Sequence, residues 1–310
     1  MENGACNRRR PERARALLIG ALASCYCLLT GCLFAGTRGQ QQRIAEDYRL
    51  AQTAGGRRAV FADLTVAGEI ASLDDPRFSE KVADLGFWRP LDYASRTHPG
   101  VYFLGAFDPT RVPVLFVHGM NGSPANFSYL ISHLDRSRFQ PWVYSYPSGA
   151  QLDAIADHLD HTIRQLQLRQ QFGQMSIVAH SMGGLVARGF ILRHAKSASA
   201  EPIPLLVTIS TPWEGHEAAE RVPRVVNIWR DIVPGSVYLT SLFSAQLPAN
   251  THHYLLFTFN DRSVTVASQL AAPAQDEAVR VVGFDDTHAG VLRNPNVAAL
   301  LNHLLAETFP

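Results

Sequence analysis

The stretch Met175-Ser176-Ile177-Val178-Ala179-His180-Ser181-Met182-Gly183-Gly184 decides how the chain is read. Met175 to Val178 is a short apolar run of the kind that forms a buried strand, and Met182 to Arg193 has the pattern of a helix. A serine at that junction lies on a sharp turn, its hydroxyl at the carboxyl edge of a sheet and the next helix's N-terminus aimed at it. Such a turn needs small residues two before and two after the serine, because larger side chains there would collide. Gly183 meets that need on one side, and on the other Ala179 replaces the usual glycine, a departure of a single methyl.

Working outward, the same alternation repeats. Val112 to Val117 is a continuous apolar run, as expected of a strand covered on both faces. Ser123-Pro124 supplies an N-cap and a first helical position for a helix toward Leu134. Trp142 to Tyr146 is the next strand, and Leu152, Ile155, Leu159, Ile163 and Leu166 share one face of a long amphipathic helix. Leu205 to Ile209, Tyr254 to Phe259 and Val279 to Val282 are further strands, and Val297 to Glu307 is a closing helix. Strands alternating with helices mean an α/β class, with a doubly wound, mostly parallel sheet over 111–310. Residues 57–110 carry two β-prone pieces, Val60 to Val66 and Gly100 to Leu104, and read as a small N-terminal extension packed on that domain.

Composition narrows the class. The chain has 310 residues, 46% hydrophobic and 18% charged, enough for a sizeable core and incompatible with a disordered or collagen-like chain. With 28 basic and 27 acidic side chains there is no global charge argument for a nucleic-acid partner. Without residues 1–31 the balance becomes 23 basic against 25 acidic, net −2. All four cysteines (Cys6, Cys25, Cys27 and Cys32) lie in the first 32 residues, so the globular part holds neither a disulfide nor a cysteine-ligated zinc.

The amino terminus reads as an address. Arg8, Arg9, Arg10, Arg13 and Arg15 precede an apolar stretch from Ala16 to Leu29, which is short for a membrane span and flanked like an export signal. It ends in Leu29-Thr30-Gly31-Cys32, which resembles the bacterial lipobox. That resemblance implies a signal peptide over 1–31, lipid on Cys32, a tether over 32–56 and a chain anchored in the bacterial cell envelope, facing outside the cytoplasm. An uncleaved anchor helix is the alternative, and it places the remainder on the same side.

A nucleophilic serine needs an oxyanion hole, a base and an orienting acid. The backbone N–H of Met182, directly after Ser181, is one expected oxyanion donor. The loop His118-Gly119-Met120-Asn121-Gly122 offers the other at Met120, because its glycines let the backbone turn inward. His288 and His303 are the candidate bases. His303 lies in the apolar closing helix, whereas His288, followed by Ala289-Gly290, lies in a loop after a strand and is the better placed. Asp261 ends the strand from Tyr254 and is the expected acid, with Asp231, Asp285 and Asp286 as competitors. Asp285-Asp286 reads as a solvated turn, and neither metal nor cofactor is expected.

On these motifs, together with Ser210-Thr211-Pro212-Trp213-Glu214-Gly215, Pro234-Gly235-Ser236, Ser268-Gln269-Leu270 and Thr287-His288-Ala289-Gly290, the chain from Val112 to Pro310 resembles bacterial lipases and esterases of the α/β-hydrolase fold. The resemblance implies a Ser181, Asp261 and His288 triad, an ester or lipid substrate, and a lid after Pro212. It departs at Asp261-Arg262, where relatives often have Asp-Gly, and at Trp213-Glu214, where they often have His-Arg. The apolar residues between Pro212 and Tyr254 fit either a lid or a pair of helices packed on the core. A non-catalytic envelope lipoprotein on the same scaffold, or an amidase or acyltransferase with the same triad, remains the rival reading.

Overall fold

The structure is a computed structural model that describes residues 65–197, 200–221 and 226–310. The signal segment, Cys32 and the tether expected from the sequence lie outside the described residues. Among those described, no helix is long and apolar enough to cross a membrane.

Eight strands form one sheet: β1 Val66–Ile70, β2 Gly100–Phe103, β3 Val112–Val117, β4 Phe139–Ser145, β5 Ser176–His180, β6 Leu205–Ile209, β7 His252–Thr258 and β8 Arg280–Phe284. Their spatial order is β1-β2-β4-β3-β5-β6-β7-β8. The six strands from β4 across to β8 are mutually parallel, and β2 runs antiparallel to β4 with Val101 opposite Tyr144. The helices are α1 Glu80–Trp88, α2 Pro90–Thr97, α3 Ser128–Ser132, α4 Leu152–Gln170, α5 Met182–His194, α6 Ile228–Asp231, α7 Val237–Leu242, α8 Val266–Gln269, α9 Ala272–Glu277 and α10 Pro295–Thr308.

The central strands are apolar throughout because both faces are covered. Leu115 and Val117 of β3 point into one core with Ile155, Leu159 and Ile163 of α4 and with Leu185 and Phe190 of α5. Val114 and Phe116 point the other way, against Phe127, Leu130 and the α10 residues Val297, Leu301 and Leu305. The parallel crossovers among β3 to β8 bring their β-to-α loops to one edge, which is where a site on this sheet is built.

Two regions differ from the sequence reading. The segment read as an extension packed on the domain instead supplies β1 and β2 of the sheet itself, joined by α1 and α2. The helix expected from Ser123 to Leu134 begins as a 3-10 turn, Pro124–Phe127, in which Ser123 N–H donates to Asn126 Oδ1 and Asn126 N–H to Ser123 O, and only Ser128–Ser132 is α-helical. Between Pro212 and Tyr254, Trp213, Ile228, Ile232, Leu239 and Leu242 are buried in the core on the α4 side. Of the two readings offered for that stretch, core packing is the arrangement present.

Candidate active site

β5 ends at His180 and α5 begins at Met182, so Ser181 alone makes the turn, with φ 54° and ψ −133°. A non-glycine residue held there stores about 1–3 kcal/mol, which the surroundings must supply. They do so by fixing both sides of it. Ser181 N–H donates to Ile209 O at 2.8 Å, tying the turn to β6. Gly183 lets the first turn of α5 press on the end of β3, since a Cβ there would stand 2.3 Å from Val117 O. Ser181 occupies the N-cap position of α5 without making the side-chain cap bond usual for a serine there. Its hydroxyl takes part in no hydrogen bond among the described residues, and contacts to a catalytic base are commonly looser before substrate binds.

The loop after β3 runs past this serine. Asn121 adopts φ 52°, its N–H donates to Ser148 Oγ at 3.0 Å, and its side-chain amide donates to Asp84 Oδ1 of α1 at 2.9 Å. Gly122 N–H closes the turn onto Gly119 O at 3.2 Å. The N–H groups of Met120 and Met182 are left without an acceptor among the described residues, as an oxyanion hole requires. Tyr146 stacks on His118 at 4.1 Å and donates to its carbonyl, holding the loop's root.

Asp261 follows β7 and His288 follows β8, and the two meet: His288 Nδ1 lies 2.6 Å from Asp261 Oδ2. The Asp261 side chain is fully buried, and that of His288 is 19% exposed. Both carboxylate oxygens are engaged further. Oδ1 accepts from Ser263 N and Val264 N, each at 2.8 Å. Oδ2 also accepts from Thr258 Oγ1 at 3.0 Å and Gln269 Nε2 at 3.2 Å. Burial by itself would push this carboxyl up, but the bonds from His288 and Val264 outweigh it and hold the acid below its ordinary range. An ionised carboxylate only accepts, so His288 must carry its proton on Nδ1, leaving the Nε2 lone pair to take a proton.

The competing residues are elsewhere engaged. Asp231 Oδ2 accepts from Leu152 N at 2.7 Å and caps α4. Asp285 accepts from Asn260, and Asp286 from Asn294 at 3.0 Å, within the loop before His288. His303 is exposed on α10 and pairs with Glu307 at 3.2 Å. The sequence reading assigned no role to Thr258 or Gln269. Gln269 is fully buried, and its only visible signal was a polar residue inside the motif Ser268-Gln269-Leu270.

A family model described as the alpha/beta hydrolase fold matches residues 112–260. Comparison with curated proteins found no match. Among solved structures, Aspergillus fumigatus lipase B aligns with a TM-score of 0.54 at 16% identity, over 69% of this chain and 57% of that one. The product of the Listeria innocua gene lin2722 aligns with a TM-score of 0.51 at 14% identity, over 63% of this chain and 94% of that one. Bacillus licheniformis lipase BlEst2 in its propeptide form aligns with a TM-score of 0.51 at 14% identity, over 64% and 51% of the two chains. Identities this low speak to architecture alone. With its strained serine between β5 and α5 at the carboxyl edge of a mostly parallel sheet, the chain is built on the α/β-hydrolase fold.

Proposed function

We propose that the protein is a serine hydrolase that cleaves carboxylic esters, with Ser181 as nucleophile, His288 as base and Asp261 as the orienting acid. The observation that carries this reading is the 2.6 Å bond from His288 Nδ1 to a carboxylate surrounded by donors, on the same sheet edge as a serine held in a strained turn. On this reading His288 Nε2 takes the Ser181 proton as Oγ attacks the ester carbonyl. The Met120 and Met182 N–H groups hold the tetrahedral oxyanion, and Asp261 stabilises the imidazolium. The alcohol departs with the proton from His288, leaving an acyl-enzyme that water opens by the same route in reverse.

Acyl or lipid esters are the proposed substrates. Support comes from two aligned proteins that are lipases and from the half-buried Met120, Trp88, Trp229 and Val233, which pack against the core on the α4 face of the sheet. The same proposal places lipid on Cys32, which would hold the enzyme beside its substrate in the bacterial envelope. Attachment there predicts palmitate incorporation that Cys32→Ala abolishes.

The deciding experiment treats the protein and Ser181→Ala with a fluorophosphonate probe, then assays p-nitrophenyl esters of graded acyl length and the matching p-nitroanilides. Labelling and turnover confined to the unsubstituted protein support the reading. A protein that neither labels nor turns over any ester is a binding scaffold instead. Turnover of amides above esters would point to the amidase alternative, since the acyl-enzyme is common to both.

A further inference from the structure

The residue immediately before the candidate nucleophile is a buried histidine that the mechanism above leaves unused. His180 ends β5, is 7% exposed, and places Nε2 2.8 Å from the backbone carbonyl of His288. Its ring lies against the His288 ring, with centroids 4.7 Å apart. The carbonyl can only accept, so His180 carries a proton on Nε2.

We infer that His180 is a positioning residue: its Nε2–H···O=C bond fixes the His288 loop against the serine turn. The inference rests on the ester-hydrolase reading. Ser181 and His288 arrive from distant parts of the chain, and no bond joins their side chains among the described residues. One hydrogen bond from the serine's chain neighbour to the base's own backbone sets their register directly. Asp261 fixes the rotation of the imidazole, and His180 fixes where the ring's backbone stands. Burial, then the neighbouring His288, pushes the His180 pKa down to about 3, so it stays neutral and does not compete with His288 for the serine proton.

The test compares His180→Phe, which keeps a ring and loses the donor, with His180→Gln, whose side-chain N–H reaches a similar point. On p-nitrophenyl butyrate, H180F is expected to lose tenfold or more in kcat with KM within about twofold. H180Q is expected to recover to within about threefold of the parent. A second measurement needs no turnover: the low-field proton resonance of His288 Nδ1–H, expected in the parent and H180Q and broadened or lost in H180F. Parent-like kcat in H180F, or a resonance equally sharp in all three, overturns the inference. So does H180Q as impaired as H180F at equal thermal stability, which would leave packing alone. A parent inactive on every ester defeats the ester reading, while the resonance still decides the positioning role.

Discussion

The backbone of Gly119 passes so close to Ser181 that a Cβ on Gly119 would lie 2.7 Å from the serine Cβ and 3.2 Å from its Oγ. The loop carrying Met120 N–H and the turn carrying the hydroxyl are therefore in direct contact, and only glycine permits the distance. Gly119→Ala is expected to push the loop off the serine. Overpacking of this kind costs about 1–3 kcal/mol, and a misplaced oxyanion donor costs about 10²–10³ in turnover. Steady-state kinetics should show kcat falling in that range with KM nearly unchanged, beside a modest drop in thermal midpoint. Full turnover in this variant would detach Met120 from the oxyanion role.

Asp261→Asn tests the acid without emptying its site. The amide keeps one oxygen acceptor but presents an N–H where His288 Nδ1 now donates, which favours the wrong imidazole tautomer. An equivalent change in a Ser-His-Asp triad lowers kcat by about 10⁴, and a loss of that order is expected here. The pH dependence of stability should change too. The folded carboxyl lies below its ordinary value, so its contribution is full above pH 3.8 and is lost as pH falls through the lower folded pKa. Acid unfolding followed by circular dichroism should therefore be less steep below about pH 4 in the Asn variant.

How far the sequence could be read depended on whether a residue's role is local. Val112–Val117 and Leu205–Ile209 emerge with the expected ends, because a strand buried on both faces leaves an unbroken apolar run. The α4 stripe of Leu152, Ile155, Leu159, Ile163 and Leu166 is buried as its period requires. Ser181 was legible because strand, turn and helix adjoin it. Asp261 was legible only as a strand end among competing acids. The roles of Thr258 and Gln269 depend on a carboxylate that folding brings to them, and neither residue type announces that. Likewise the link from Asp84 on α1 to Asn121 joins two polar residues 37 apart, which no periodicity marks. The β1 and β2 strands were hard to place for a related reason: β2 joins the sheet by pairing with distant β4, and β1 joins it through β2, so neither membership is set by their own short patterns.

Away from the site, Arg188 of α5 is almost wholly buried and pairs with Glu277 at the end of α9. Its Nε lies 3.1 Å from Glu277 Oε1, its guanidinium stacks on Phe243 at 4.3 Å, and its Nη1 has no partner among the described residues. Removing one member of a buried pair strands the other charge. Glu277→Ala is expected to cost about 3–5 kcal/mol in urea unfolding, whereas Arg188→Met with Glu277→Leu should recover most of that loss. A double variant as unstable as the single one would show that the pair itself, not the stranded charge, supplies the stability.

Asp231 provides the clearest case of a carboxylate whose burial opposes the fold at neutral pH. It ends the short α6 segment, and among the described residues its Oδ2 receives only Leu152 N–H at the start of α4. Burial raises its pKa from 3.8 to about 6, and the Leu152 bond offsets only part of that. Between those two values the folded protein binds more protons than the unfolded chain, so stability falls as pH rises through the window. Above it the full cost applies, about 3 kcal/mol. Asp231→Asn keeps an oxygen acceptor for Leu152 and removes the charge, giving up about 0.5 kcal/mol of helix-dipole attraction. The variant is therefore expected to be more stable than the parent by about 1–3 kcal/mol at about pH 8 and nearly equal to it at about pH 3.5. Urea denaturation at both pH values measures this directly. A gain as large in acid as at the higher pH would mean that ionisation of Asp231 is not its source.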